Sequence, residues 1–234
     1  IADLTDALDR VGADADVRAV VLTGIGSTFS AGADLGWMRR MAAAGESENR
    51  DDSLRLARLM RTLNFLPKPT IARVNGSAYG GGVGLIACCD IAIGVEQAKF
   101  SLSEAKLGLV PAVISPYVVA AIGGRQSRRY FTSAEVFDAP MAQHIGLLHE
   151  VVAAAVLDEA VERCLHFLLK CGPVAQREAK RLALGMAGMS VHSAASIDEA
   201  NASLIARLRV SAEGQEGLGA FLDKCAPSWA RGNQ

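Results

Sequence analysis

The stretch NGSAYGGGVGLIACCD, residues 75–90, places four glycines within residues 80–84 and continues as an apolar run. Glycine is favoured where the backbone bends sharply or approaches another group closely. The residues before it, Thr70–Asn75, are typical of a buried strand, and Val83–Cys88 is short and apolar enough for a buried helix. The stretch therefore predicts a strand–turn–helix unit whose turn, Gly80–Gly82, is kept free of side chains.

The same arrangement occurs earlier in the chain. Val17–Thr23 is a continuous apolar run of the kind found in parallel sheets, and a loop, STFSAGAD, leads from it to a predicted short helix, Asp34–Met41. Two further strands are predicted at Asp90–Val95 and Ala98–Leu102, and from residue 116 onward the pattern is mostly helical. The sequence thus predicts an α/β fold with a helical C-terminal region.

Composition argues against several classes of protein. The 24 basic and 25 acidic side chains give a net charge of −1, so no electrostatic feature favours nucleic acid as a partner. The apolar runs are too short to span a membrane. The five cysteines are an odd number and predict a reducing compartment, which we take to be the cytoplasm, rather than a disulfide framework. The adjacent pair Cys88 and Cys89 lacks the spacing of zinc ligands, so no metal is expected.

Two glycine-containing loops are the candidates for chemistry. Ser30–Asp34 and Gly80–Gly82 each follow a buried strand and precede a helix. Free backbone N–H groups at two such places, if brought together, form an oxyanion hole that stabilises a developing negative charge. The alternative is that both are ordinary strand–helix turns. A dinucleotide site at Gly24–Gly26 is disfavoured, because the third glycine of that motif is replaced by Phe29.

Four stretches together resemble the crotonase superfamily of enoyl-CoA hydratases and isomerases: TFSAGADLGWM (28–38), PKPTIARVNGSAYGGGVGLIACCDIAIG (67–94), AKFSLSEAKLGLVPA (98–112) and SAEGQEGLGAFLDKCAPSW (211–229). The resemblance implies a spiral of ββα turns over residues 1–180 and a helical region over residues 181–234 that forms homotrimers or hexamers. In the family a first hairpin precedes the segment starting at Ile1. Because Ile1 also lies inside an amphipathic pattern, we expect the sequence to begin within the domain.

The resemblance also assigns roles to individual residues. The N–H groups of Ala33 and Gly81 would bind the thioester oxygen of an acyl-CoA substrate. Glu104 would be the catalytic acid or base that exchanges a proton near the substrate's α-carbon. No cofactor beyond the coenzyme A thioester itself, and no metal, is implied. The CoA and substrate contacts would come from Ala31, Ala33, Asp34, Leu35, Trp37, Gly81 and Gly84.

Gly84 is the main departure from the family pattern, because many hydratases carry a glutamate there. A single glutamate at the position of Glu104 is also typical of the family's double-bond isomerases. The stretches ADLGWMRRMA (33–42) and LVPAVISPYVVAAIG (109–123) look most like the bacterial methylglutaconyl-CoA hydratase branch, which acts in leucine degradation. The resemblance therefore favours hydration of a branched or glutaconyl-type 2-enoyl-CoA. A Δ3–Δ2 enoyl-CoA isomerase and a non-catalytic crotonase-fold protein that binds RNA or a protein stay open.

Overall fold

A computed structural model of the chain describes residues 1–230 and contains two four-stranded sheets. The first sheet is entirely parallel, with its strands in the order β1-β3-β5-β8. Its first three strands lie within the predicted runs Val17–Thr23, Thr70–Asn75 and Asp90–Val95. The two inner strands are mostly buried, as expected for a parallel sheet, whereas the edge strands are partly exposed. The strands are β1 (Val20–Thr23), β3 (Thr70–Val74), β5 (Ile91–Val95) and β8 (Glu150–Val152).

The second sheet has the order β2-β4-β6-β7, and only its β6–β7 pair is antiparallel. Its strands are two or three residues long, too short to show a period of two in the sequence. The interpretation of residues 28–30 as part of a loop is therefore wrong, and no strand is predicted at residues 77–79. The strands are β2 (Thr28–Ser30), β4 (Ser77–Tyr79), β6 (Lys99–Ser101) and β7 (Phe137–Asp138).

In the first three turns the chain crosses from the first sheet to the second and then forms a helix, which confirms the predicted ββα spiral. The last two strands come in the reverse order, with β7 in the second sheet followed by a helix and then by β8 in the first. Asn75 fixes two neighbouring turns to each other. Its side-chain oxygen accepts a hydrogen bond from the Gly24 N–H at 3.0 Å, and its amide donates to the Gly26 carbonyl at 2.9 Å. A Cβ on Gly76 would lie 2.0 Å from the Ser27 carbonyl oxygen, so this close approach requires glycine.

Ten α-helices complete the described part of the chain, including the predicted C-terminal helices. Ser190 and Ser193 form a capping box that starts one of these helices at Val191. The helices are α1 (Ala2–Ala13), α2 (Leu35–Ala43), α3 (Glu46–Asn64), α4 (Gly81–Cys88), α5 (Ser115–Ser133), α6 (Ala139–His144), α7 (Leu157–Leu169), α8 (Pro173–Met186), α9 (Val191–Val210) and α10 (Ala212–Leu222).

The predicted boundary between the core and the C-terminal region does not coincide with the end of a helix. The boundary placed after residue 180 falls within α8, and residues 231–234 of the predicted C-terminal region lie outside the described residues.

Helix α5 is interrupted at Gly123, whose φ of 75° is non-helical. Within residues 1–230, no helix is both long and apolar enough to cross a membrane.

Candidate active site

The pairing of β2 with β4 brings the two glycine-containing loops together. Ser30 lies opposite Ala78 in this pair. A Cβ on Gly82 would be only 2.6 Å from the Ser30 Cβ, and one on Gly32 would lie 3.5 Å from the Tyr79 carbonyl oxygen. Gly32 also has a φ of 94°, a conformation that L side chains rarely adopt. Small residues at these positions thus allow the loop after β2 to pack directly on the loop after β4.

The two candidate oxyanion donors are free main-chain groups. Among the residues that the structure describes, neither the N–H of Ala33 nor that of Gly81 has a hydrogen-bond acceptor. Gly81 is the first residue of α4, and Gly80 precedes it with a left-handed φ of 50°. A Cβ on Gly81 would meet no atom within 4 Å, so open space lies on the Cβ side of this residue. Free N–H groups at a helix start favour negative charge.

Glu104 places a carboxyl group beside Gly80, the residue that precedes α4. It belongs to a 3-10 helix, Ser103–Leu107, that follows β6 directly. The Gly80 N–H donates to the Ser101 carbonyl at 3.0 Å, which ties this segment to the start of α4. A Cβ on Gly80 would lie 3.2 Å from the Glu104 Oε1, so glycine leaves room for the carboxyl group.

The carboxyl group of Glu104 has an unusual environment. The residue as a whole is half-buried, but its Oε2 is out of contact with solvent and has no hydrogen-bond partner. Burial disfavours the charged form and raises the pKa of Glu104 from its ordinary value of 4.5 to about 7. A carboxyl group with a pKa near neutrality can serve both as a proton donor and as a proton acceptor.

Gly84 lies one helical turn after Gly81, and its missing side chain is replaced by a neighbour. A Cβ on Gly84 would lie 2.3 Å from the Cγ2 atom of Ile114 and 3.3 Å from the Cε atom of Met60. Both neighbours are buried. The volume that a side chain at residue 84 would occupy is therefore filled by hydrocarbon.

The remaining predicted CoA contacts lie on the loop before α2 or on α2 itself. Ala31, Ala33 and Leu35 are exposed, which leaves this loop accessible to a ligand. The Asp34 side chain caps α2 by accepting a hydrogen bond from the Trp37 N–H at 2.7 Å.

Trp37 is contacted by side chains from α3 and α9. Its indole N–H donates to the Asp52 Oδ1 at 3.1 Å, and the Arg209 guanidinium lies 5.0 Å from the centre of its ring. Arg209 in turn lies 3.6 Å from the Asp52 Oδ2. The sequence analysis did not identify Asp52, Arg209, Ile114 or Met60. No sequence motif identifies these residues, because each contacts Trp37 or Gly84 only through the folding of the chain.

His149, Cys88 and Cys89 have structural surroundings. The ring Nδ1 of His149 accepts a hydrogen bond from the Ala92 N–H at 3.0 Å. Cys88 and Cys89 belong to the main hydrophobic core, and burial raises the pKa of the Cys89 thiol to about 12. Within residues 1–230, no group of three His, Cys, Asp or Glu side chains is arranged to hold a metal ion.

Comparison with known proteins gives a consistent result. The profile of the family described as "Enoyl-CoA hydratase/isomerase" matches residues 1–232. The crotonyl-CoA hydratase of Syntrophomonas wolfei is 31% identical over 224 residues, which cover 95% of this chain and 84% of that protein. A crystal structure of an enoyl-CoA hydratase from Shewanella pealeana has 42% identity and a TM-score of 0.78, covering 97% of this chain and 84% of the other. One from Mycobacterium avium has 33% identity and a TM-score of 0.84, covering 97% and 85%.

Proposed function

Because the chain belongs to the enoyl-CoA hydratase/isomerase family, we propose that it adds water to the double bond of a 2-enoyl-CoA and forms the 3-hydroxyacyl-CoA. The observation that carries the proposal is the buried, unpartnered carboxyl group of Glu104 beside the start of α4. A glutamate exposed to water would keep a pKa near 4.5. The pKa of about 7 therefore reflects the burial of the Glu104 carboxyl group. The role of each site residue below is part of the proposal.

The N–H groups of Ala33 and Gly81 bind the thioester oxygen. When water attacks the β-carbon of a conjugated thioester, negative charge collects on this oxygen as an enolate. Two preorganised donors stabilise that charge, and the loss of one such donor typically slows a reaction by about 10²–10³-fold. The donors are backbone groups, so the chemistry asks only for close approach and no cofactor beyond the substrate's own coenzyme A.

Glu104 supplies the proton for the α-carbon. In its protonated form it donates this proton as the oxygen of water bonds to the β-carbon, and the water's surplus proton returns to the carboxylate or to solvent. Because the pKa of Glu104 is about 7, a large fraction of the enzyme carries this proton at neutral pH. Hydration should therefore be fastest below about pH 7 and should decline above it.

We further propose a branched or glutaconyl-type acyl group, with 3-methylglutaconyl-CoA of leucine degradation as the first substrate to test. The proposal rests on the resemblance of residues 33–42 and 109–123 to that branch of the family.

We also propose, from the resemblance to the family, that the protein forms a homotrimer or hexamer. Large exposed apolar side chains on α7 and α8, such as Phe167 and Met186, support an assembled state. The proposed cytoplasmic location rests on the five unpaired cysteines.

A Δ3–Δ2 isomerase is the second candidate, favoured by the absence of a carboxyl group at Gly84. An isomerase begins with the opposite proton transfer, because the carboxylate of Glu104 must first remove an α-proton from a 3-enoyl-CoA. Isomerisation should therefore accelerate as the pH rises through about 7, whereas hydration should slow.

A panel of thioesters tests the proposal. Hydration consumes the ultraviolet absorbance of a conjugated 2-enoyl-CoA, whereas isomerisation of a 3-enoyl-CoA creates it. We expect turnover of crotonyl-CoA and 3-methylglutaconyl-CoA, and a loss of at least about 10²-fold in kcat for Glu104→Gln. Glu178→Gln is a suitable control, because Glu178 is an exposed partner of Arg181. Near-full activity of Glu104→Gln would contradict the role of Glu104, and acyl-CoA binding without any turnover would favour a non-catalytic protein.

A further inference from the structure

One face of α4 is open at its start and closed one turn later. Gly81 and Gly84 lie three residues apart and therefore share this face. A Cβ on Gly81 would meet no atom within 4 Å, whereas a Cβ on Gly84 would lie 2.3 Å from the Cγ2 and 2.7 Å from the Cβ of Ile114. The helix face is therefore open on the Cβ side of Gly81, and one turn later the Ile114 side chain covers the same face at Gly84.

Ile114 is held firmly in this position. Its side chain is buried, with only 3% of the residue exposed, and it stands directly before α5. The turn that carries it is closed by two bonds to the Ala112 carbonyl, from the Ser115 N–H at 3.1 Å and the Ser115 hydroxyl at 2.7 Å. The Ile114 carbonyl also accepts from the Val118 N–H at 3.1 Å. A residue fixed on both sides of its backbone cannot easily withdraw from Gly84.

Met60, on α3, contributes to the same wall, by which we mean the surface formed by Gly84, Ile114 and Met60. It is 1% exposed, and its Cε atom would be 3.3 Å from a Cβ on Gly84. The Cys88 Sγ lies 3.8 Å from the Met60 Sδ, which places this part of α3 against the end of α4. The atoms that would face a Cβ on Gly84 are the Cγ2 and Cβ of Ile114 and the Cε of Met60, so this surface is apolar and can contact alkyl groups.

The distance between this surface and Gly81 indicates which part of the substrate it would contact. At 1.5 Å per residue, Gly84 lies about 4.5 Å along α4 from Gly81. If the thioester oxygen binds the Gly81 N–H, groups attached to the β-carbon are at a comparable distance from that oxygen. The wall is therefore within reach of the substituents on the β-carbon, while the CoA loop before α2 serves the other end of the thioester.

We propose that Ile114, seated on Gly84 and backed by Met60, is the residue that selects the substituent at the β-carbon of the acyl group. The wall accepts small alkyl branches such as a methyl group and excludes bulky ones. This inference rests on the proposed function only in that the cleft binds acyl-CoA thioesters. It assigns to Ile114 a selective role in the volume where a side chain at residue 84 would otherwise lie.

The test compares the affinities for two saturated thioesters, butyryl-CoA and 3-phenylpropionyl-CoA, measured by calorimetry. Ile114→Ala should shift the ratio of dissociation constants by about 10-fold toward the bulky ligand, the scale on which apolar pockets discriminate small changes in volume. Ile114→Val is a milder truncation and should shift the ratio in the same direction, but by less than Ile114→Ala does.

Ile122→Ala is the matched control, because Ile122 lies on α5, is 5% exposed and makes the same change in volume. It should leave the ratio unchanged. The proposal is wrong if neither Ile114 variant shifts the ratio, or if Ile122→Ala shifts it equally. Because saturated thioesters need no turnover, the expected shift in a protein that hydrates no enoyl-CoA supports the wall and refutes hydration, whereas hydration without the shift refutes the wall alone.

Discussion

Above about pH 7, Glu104→Gln should remove a destabilising charge from the folded protein, because burial raises the pKa of Glu104. The pKa of Glu104 is about 7 in the folded protein and 4.5 as its ordinary value, a difference of 7 − 4.5 = 2.5. Below the lower value the carboxyl group is protonated in both states and the pKa difference costs nothing. As the pH rises toward 7, the unfolded chain ionises first, so the free energy of unfolding falls. Above about pH 7 the cost is constant at about 3 kcal/mol, since each pKa unit corresponds to about 1.36 kcal/mol.

Glutamine is neutral at every pH and lacks this cost. The difference in free energy of unfolding between Glu104→Gln and the unmodified protein should therefore grow by about 3 kcal/mol from about pH 4.5 to about pH 8. Urea denaturation at several pH values measures it, and the other titrating groups cancel because both proteins share them. Glu178→Gln should show no such growth, because the pKa of Glu178 is lowered by its bond to Arg177 and by the charge of Arg181. A difference that stays flat with pH would refute the buried, proton-holding carboxyl group.

Three further substitutions test the packing around the site. Gly84→Ala should lower the free energy of unfolding by about 1–3 kcal/mol in urea denaturation, because its Cβ would overlap Ile114, and an unchanged midpoint would contradict this packing. Gly81→Ala should leave stability unchanged, since its Cβ meets open space, but should weaken acyl-CoA affinity in calorimetry; unchanged affinity would show that this space is not the acyl cleft. Asn75→Ala should cost about 1–3 kcal/mol by removing the two bonds that join neighbouring turns, and full stability would show that these bonds contribute little.

The sequence predicts the first sheet better than the second for a simple physical reason. Strands β3 and β5 are mostly buried, and β1 is a half-exposed edge strand. All three nevertheless lie in mostly apolar runs that are recognisable in the sequence. Strands β2 and β4 contain three residues each and carry serine or tyrosine at their ends, so hydrophobic periodicity does not distinguish them from the loops they adjoin. Their existence depends on pairing with each other, and that pairing links residues about fifty positions apart.

The candidate site divides in a similar way. The glycine loops and Glu104 lie in short motifs, so their positions can be predicted from the sequence by resemblance. The contact between Gly84 and Ile114 cannot, because it joins two segments thirty residues apart and depends on how α5 packs against α4. The sequence shows that a side chain is absent at residue 84, and only the structure shows what fills the space.

The free N–H groups of Ala33 and Gly81 have a consequence for how this protein can change over generations. No codon specifies a main-chain N–H, and among the encoded amino acids only proline removes it. Most mutations at these two positions therefore reshape the surroundings of a donor without deleting it. We expect the positions of these N–H groups to depend instead on the close packing around them, such as that of Ser30 against Gly82 and of Gly32 against Tyr79. A saturation-mutagenesis map of the molecule should accordingly place part of its strongest selective constraint on residues that never touch a ligand.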